Sequence, residues 1–410
     1  MKRLNKGFIF IAAIFLLFTG CTPQNQPLPS EPNTNPGPVE EPPIEDPIVE
    51  VDKIQEQLDH MTLEEKVGQL LVVGFEGTEL DDSTREYIQD LGVGGLIFFA
   101  RNIHSKEQVS TLVEDINNIS NIPLFLAIDE EGGIVSRLPK EYKKLPDSIS
   151  IGNTNDTDLA FDYGQLLGNR VRSIGLNLNF APVMDIHSNP SNPVIGKRSF
   201  GTTAEVVSEM GINVAKGIKN TNVIPSIKHF PGHGDTSTDS HIELPMIDKS
   251  LDDIRNFELI PFKAAIDQDI EMIMSAHILI PSIDEEYPAT LSKKILGDLL
   301  RDEMGYEGVI ISDDMTMGAI VNNYSLEEAS IDFLQAGGDI LLVCHGVDSP
   351  RLVFDEIMKS IEIGELTQKE IDTKVYRILQ LKDKYLYKGS IDLNFEELNT
   401  DAENIMNRLK

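Results

Sequence analysis

Between residues 62 and 346 the chain alternates short, largely apolar runs with longer stretches of helical period. The runs are QLLVVGF (69–75), GGLIFF (94–99), PLFLAIDEE (123–131), LNLNFAPVMD (176–185), VIPSIKHF (223–230), EMIMSAH (271–277), GVIISDD (308–314) and DILLVCHG (339–346). Most are continuously apolar rather than alternating, the pattern of parallel strands covered on both faces. The stretches between them, such as SKEQVSTLVEDINNI (105–119) and TAEVVSEMGINVAKGIKNT (203–221), read as helices. Thr62 followed by Glu65 is a capping-box pattern that opens a helix just before the first run. Eight strand–helix units in series predict an α/β fold of the (β/α)8 barrel type. A doubly wound open sheet is the alternative, and the count of eight favours the barrel.

The N-terminus follows a different pattern. Lys2, Arg3 and Lys6 precede an apolar run from Phe8 to Phe18, which ends in Thr19-Gly20-Cys21. A positive start, a short apolar stretch and small residues at a cut mark residues 1–20 as a signal peptide. The ending resembles a bacterial lipobox, although Phe18 stands where Leu is commoner. Cys21 is therefore the expected lipidated N-terminus of the mature chain, with an uncleaved anchor as the alternative. Both place the remainder outside the cytoplasm, on the cell membrane. Residues 22–52 hold nine prolines, seven acidic residues and no basic one. Residues 21–50 read as an extended disordered tether, and 51–410 as the folded domain.

Composition narrows the partners. The 410 residues carry a net charge of −32, which argues against nucleic acid and against an anionic membrane held by charge alone. The expected contact with a membrane is the lipid anchor only. Two cysteines, Cys21 and Cys344, give no disulfide framework. A monomer is expected.

Several apolar runs end in reactive residue types: Asp129-Glu130-Glu131, Asp185, Lys228-His229, His277 and Ser312-Asp313-Asp314. In a (β/α)8 barrel all C-terminal strand ends face one mouth, so these residues converge there. The fifth run continues into KHFPGHGDTSTDSH, from Lys228 to His241. Its three histidines suit zinc in number. Pro231, Gly232 and Gly234 break the helix that would face His229 and His233 together. No P-loop glycine spacing is present. A plain structural loop stays open. Acid–base work fits better, because His241 titrates near neutrality and Asp239, two residues away, can hold one of its ring nitrogens. Asp313 is a carboxylate suited to attack an anomeric carbon, and a His–Asp pair can then replace the second carboxylate of two-step glycoside hydrolysis.

These residues resemble the bacterial β-N-acetylglucosaminidases of glycoside hydrolase family 3. The loop matches the family signature K-H-[FI]-P-G-x-G-x4-D-[ST]-H. MTLEEKVGQLL, GVGGLIFFARN, AIDEEGGIVSRL, NFAPVMDI, NPVIGKRSFG and GVIISDDMTMGAI match its other segments, over roughly 60–385. The resemblance implies that Asp313 is the nucleophile, that His241 is the general acid/base and that Asp239 is its partner. It also implies that Asp129, Arg137, Arg198, Lys228 and His229 bind the sugar. No metal or cofactor is implied. Ile134 departs from the family by standing where Arg is common. Asp314 is expected to be structural. Asp185 could brace the Lys or Arg side chains, and His277 could be a satisfied mouth histidine.

The expected activity is that of a retaining exo-β-N-acetylglucosaminidase, removing terminal β-linked GlcNAc from peptidoglycan fragments or related oligosaccharides. A histidine acid/base repels an anionic acceptor less than a carboxylate would, which leaves phosphorolysis open beside hydrolysis. A family 3 β-glucosidase or β-xylosidase is one alternative. Such relatives usually carry a second domain, and the Asp239–His241 loop speaks against them. A sugar-binding lipoprotein without chemistry is the other. It would need only the contact residues, not Asp313, His241 and Asp239 together.

Overall fold

The computed structural model describes residues 52–386 and 393–410. The expected signal peptide, Cys21 and the tether lie outside the described residues. From Val51 onward the chain is one compact unit.

Eight strands form: β1 (Leu71–Gly74), β2 (Gly95–Phe98), β3 (Phe125–Ile128), β4 (Leu178–Asn179), β5 (Ile224–Phe230), β6 (Met272–Ser275), β7 (Val309–Asp314) and β8 (Ile340–Val343). Each pairs in parallel with the next, and β8 pairs with β1 through Leu71–Leu341 and Val72–Leu342. That last pairing closes the sheet. An open doubly wound sheet would leave β1 or β8 with an unpaired edge, so the barrel is the fold. Every predicted run contributes a strand. β1, β2, β3, β6 and β8 are buried at every position, which is why those runs read as continuously apolar.

Local sequence starts the helices where expected. Thr62 Oγ1 accepts the Glu65 amide at 3.2 Å, and Glu65 Oε2 accepts the Thr62 amide at 2.9 Å. Ser105 caps Lys106–Ile119 and Thr203 caps Ala204–Asn220. Each cap satisfies an amide that the helix itself cannot.

β4 is much shorter than its run. Pro182 has no amide to donate to a ladder, and the chain leaves the strand after Asn179. It then rejoins β5: Lys228 N donates to Pro182 O at 3.2 Å and Met184 N to Lys228 O at 2.6 Å. Asn179 fills part of the gap. Its side chain takes the Glu130 amide at 3.0 Å and gives a hydrogen bond to the Glu130 carbonyl at 2.9 Å.

The pairing slips at two strand ends, between Ile227 and Phe230 in β5 and between Ile311 and Asp314 in β7. These are the stretches holding Lys228-His229 and Ser312-Asp313. A bulge re-aims side chains at the end of a strand, and here it does so at the barrel mouth. The opposite end is closed by the helix Gln368–Tyr385. Its Lys382 is fully buried, bonds Gln69 Oε1 at 2.6 Å and lies 4.9 Å from the Phe125 ring centroid. Burial pushes this amine down to about 7.

Candidate active site

A cavity of about 230 Å3 opens at the C-terminal ends of the strands. Asp129, Arg137, Arg198, Lys228, His229, His241 and Asp313 all line it. The strands supply Lys228 and His229 from β5 and Asp313 from β7. Asp129 directly follows β3. Arg198 comes from the short turn Gly196–Arg198, and His241 from the loop after β5.

One carboxylate organises the cations. Glu131 receives Arg198 in a two-pronged pair, Nε to Oε2 at 2.8 Å and Nη2 to Oε1 at 2.7 Å. Lys228 Nζ reaches the same Oε1 at 2.7 Å and Asp129 Oδ1 at 2.6 Å. Burial opposes ionisation of Glu131, but Arg198 and Lys228 outweigh it and hold the carboxyl far below the usual range. The same contacts raise Lys228 and Arg198 against the effect of their own burial. Both cations therefore stay charged with donors to spare for a bound oxygen. They supply the local positive charge that an acidic protein otherwise lacks.

A second network fixes the histidines. Asp185 is fully buried; its Oδ2 lies 2.7 Å from His229 Nδ1 and its Oδ1 accepts the His233 amide at 2.6 Å. Burial would raise this carboxyl, yet His229 and His233 hold it below its ordinary value. His277 is also fully buried, with Nδ1 2.9 Å from Thr290 Oγ1 and Nε2 2.9 Å from the Asp314 carbonyl.

Asp313 and Asp314 have different surroundings. Asp314 Oδ1 accepts the Thr316 amide at 2.9 Å, the Thr316 hydroxyl at 2.6 Å and the Cys344 amide at 3.0 Å. Asp313 Oδ1 accepts only the next amide, at 2.8 Å. Its other oxygen takes no hydrogen bond from the described residues. Burial opposes charge on Asp313, but His277, His229, the Asp314 amide and Lys228 together hold its pKa below the ordinary carboxylate value. It is an ionised carboxylate with a free oxygen at the cavity.

His241 enters from the other side. Its Nδ1 lies 2.7 Å from Asp239 Oδ1, which also accepts the His241 amide at 2.9 Å. A carboxylate only accepts, so Nδ1 carries the proton and Nε2 is left for chemistry. The base of this loop is tightly packed. At Gly234 a β-carbon would stand 1.7 Å from the Ile186 carbonyl oxygen, so no side chain fits there.

A part-buried carboxylate with one oxygen free of hydrogen bonds from the described residues thus shares one cavity with a histidine held by an aspartate. Residues 62–381 match the glycosyl hydrolase family 3 N terminal domain. The chain belongs to glycosyl hydrolase family 3. It is 35% identical to Beta-hexosaminidase A of Pseudoalteromonas piscicida over 75% of this chain, and spans 56% of that protein's length. It is 35% identical to a Beta-hexosaminidase of Nitrosomonas eutropha over 71% of this chain and 84% of that one. Among solved structures, the family 3 β-N-acetylglucosaminidase of a Paenibacillus species superposes with a TM-score of 0.81 at 37% identity, covering 84% of this chain and 68% of that one.

Within this family 3 barrel, Asp129, Arg137, Arg198, Lys228, His229, His241 and Asp313 line the cavity and Asp239 flanks it through His241, while Cys21 lies outside the described residues. Asp185 braces His229 and the His233 amide rather than the Lys or Arg side chains. His277 is a satisfied histidine, and Asp314 is bound up in holding the β7 and β8 ends together. Sequence reasoning missed Glu131. It stood in the Asp-Glu-Glu strand end, but residue type alone does not say which carboxylate meets the cations. It missed Ser240 and Thr236 as well, and met His233 only as one of three histidines in a zinc reading that the loop's proline and glycines count against. His233 is instead buried, with Nε2 3.2 Å from Ser240 Oγ and Nδ1 2.8 Å from Thr236 Oγ1. Burial, helped by His229, pushes its pKa down to about 4.

Proposed function

We propose that this family 3 glycoside hydrolase is a retaining exo-β-N-acetylglucosaminidase. Asp313 attacks the anomeric carbon of a terminal β-linked GlcNAc and forms a glycosyl-enzyme. The doubly protonated form of His241, held at Nδ1–H by Asp239, gives its Nε2 proton to the departing oxygen. The neutral imidazole then takes a proton from water as that water attacks the same carbon, and Asp313 is released. Lys228, Arg198, Asp129, Arg137 and His229 hold the sugar hydroxyls. The observation that carries this reading is that Asp313, ionised and with one oxygen unclaimed, lines the same cavity as a histidine whose tautomer Asp239 fixes.

The reading extends to substrate and place. Peptidoglycan fragments outside the cytoplasm, reached from a lipid anchor at Cys21, suit the N-terminal pattern. Loss of radiolabelled palmitate incorporation in Cys21→Ala would support the anchor, and unchanged labelling would remove it.

The direct test compares a chromogenic β-N-acetylglucosaminide with the matching β-glucoside, using the full chain and an Asp313→Ala control. Selective release from the N-acetyl sugar, lost in the control by at least about 10⁴-fold, is expected. NMR of the first-formed anomer should show β. An α product excludes retention, and preference for the glucoside moves the protein to another branch of the family.

A further inference from the structure

The His241–Asp239 pair is poorly anchored by its own side chains. They bond each other, and the His241 side chain is 66% exposed. Ser240, the residue between them, is 3% exposed. Its hydroxyl lies 3.2 Å from His233 Nε2, and its carbonyl accepts the Ala319 amide at 3.1 Å. His233 is itself immobilised. Its amide donates to Asp185 Oδ1 at 2.6 Å, its carbonyl accepts Asn192 Nδ2 at 2.8 Å, and its ring packs edge-on to His229 at 5.8 Å. The segment after β7 completes the seat. Asn322 Nδ2 donates to the Ile242 carbonyl at 3.0 Å. At Gly318 a β-carbon would stand 2.7 Å from the His241 carbonyl oxygen and 2.9 Å from that of Ile242. The exposed tip of the loop thus rests on the segment that follows the strand carrying Asp313.

We infer that Ser240 is the positioning residue of the dyad: its hydroxyl on His233 and its carbonyl on Ala319 seat His241 at the cavity that Asp313 lines. This rests on the hexosaminidase reading above. Proton transfer demands hydrogen-bond reach between His241 Nε2 and the departing oxygen, and a small displacement forfeits much of it. The neutral His233 ring suits the role, because either tautomer satisfies both the Thr236 and the Ser240 hydroxyls.

Leaving-group dependence separates positioning from general damage. A 2,4-dinitrophenyl glycoside departs without protonation, whereas a phenyl glycoside needs the acid. Ser240→Ala should lower kcat/KM on the phenyl β-N-acetylglucosaminide by at least about 10-fold and on the dinitrophenyl one by less than about 3-fold. Ser240→Thr, which keeps the hydroxyl, should restore the phenyl rate. Gly318→Ala presses on the His241 and Ile242 carbonyls without altering any cavity side chain, and should give the same selective loss. Azide needs no base; it attacks the anomeric carbon of the glycosyl-enzyme, frees Asp313 and yields the β-glycosyl azide. It should raise dinitrophenyl turnover in Ser240→Ala more than in the wild type. Equal loss on both glycosides, or loss on neither, overturns the inference and leaves the hexosaminidase reading standing. A wild-type chain that cleaves neither overturns that reading, and the inference with it.

Discussion

Glu131 and His241 line one cavity under opposite conditions. Glu131 is 4% exposed and takes both prongs of Arg198 as well as Lys228. The His241 side chain is 66% exposed and, among the described residues, bonds only Asp239. The first arrangement is fixed by buried charge that cannot find a partner elsewhere. The second is fixed by one short-range pair, by the Ser240 hydroxyl on His233 and by the backbone around it. Under the proposed function, this floor holds the sugar in one pose before chemistry begins. Displacing the loop would leave no buried charge unpaired. Preorganisation belongs where binding is wanted, and a lightly held group belongs where a proton must be delivered and the path then cleared.

That contrast makes unequal predictions for stability and activity. Glu131→Gln keeps the shape but strips two buried cations of their shared counter-charge. Removing one partner of a buried ion pair costs about 3–5 kcal/mol. A large fall in the thermal midpoint is expected, together with loss of sugar binding. A midpoint like that of the wild type would show that the floor does not depend on this carboxylate. His241→Ala should do the reverse. Hydrolysis of a poor leaving group should fall by about 10²- to 10⁴-fold, while unfolding free energy stays within about 0.5 kcal/mol of wild type. Destabilisation comparable to Glu131→Gln would erase the distinction between the two regions.

The same contrast explains what the amino-acid sequence discloses. The strands are legible because burial on both faces leaves β1, β2, β3 and β8 without a polar position and confines polar residues in β6 and β7 to their ends, and the barrel follows from counting them. Asp239 and His241 are legible as a pair because two residues of separation already bring them together. Arg198 and Lys228 are recognisable from their motifs, but their common partner is not. Glu131 meets Arg198 across 67 positions, and only the closed barrel brings those segments together. His233 misleads for a related reason. A histidine between glycines suggests a ligand, while its partners Thr236 and Ser240 are uninformative residue types until the loop folds back on itself. β4 shows the limit for strands: its run alternates Leu176 and Leu178 with Asn177 and Asn179, and Pro182 ends the ladder early although Phe180 to Met184 are apolar.

The last difference between floor and loop is a matter of pH. His233 belongs to the buried side, and its pKa falls from 6.5 to about 4, first through burial and then through His229. A histidine depressed in the folded state binds fewer protons there than in the unfolded chain. Its contribution to stability is therefore complete above pH 6.5 and fades as the pH falls towards 4. Glu130 works in the opposite sense over part of that window. Burial raises it from 4.5 to about 7, so its contribution is present at low pH and is lost as the pH rises towards 7. The net slope for the wild type consequently hides both groups, and the informative quantity is a difference between variants. Unfolding free energy measured from pH 4.5 to 6.5 should rise more steeply in the wild type than in His233→Gln, by about 1 kcal/mol per pH unit. Glu130 is common to both and cancels. Parallel curves for wild type and His233→Gln would mean that His233 is protonated as readily folded as unfolded, and that the loop base is wetter than its packing against Asp185 and Asn192 implies.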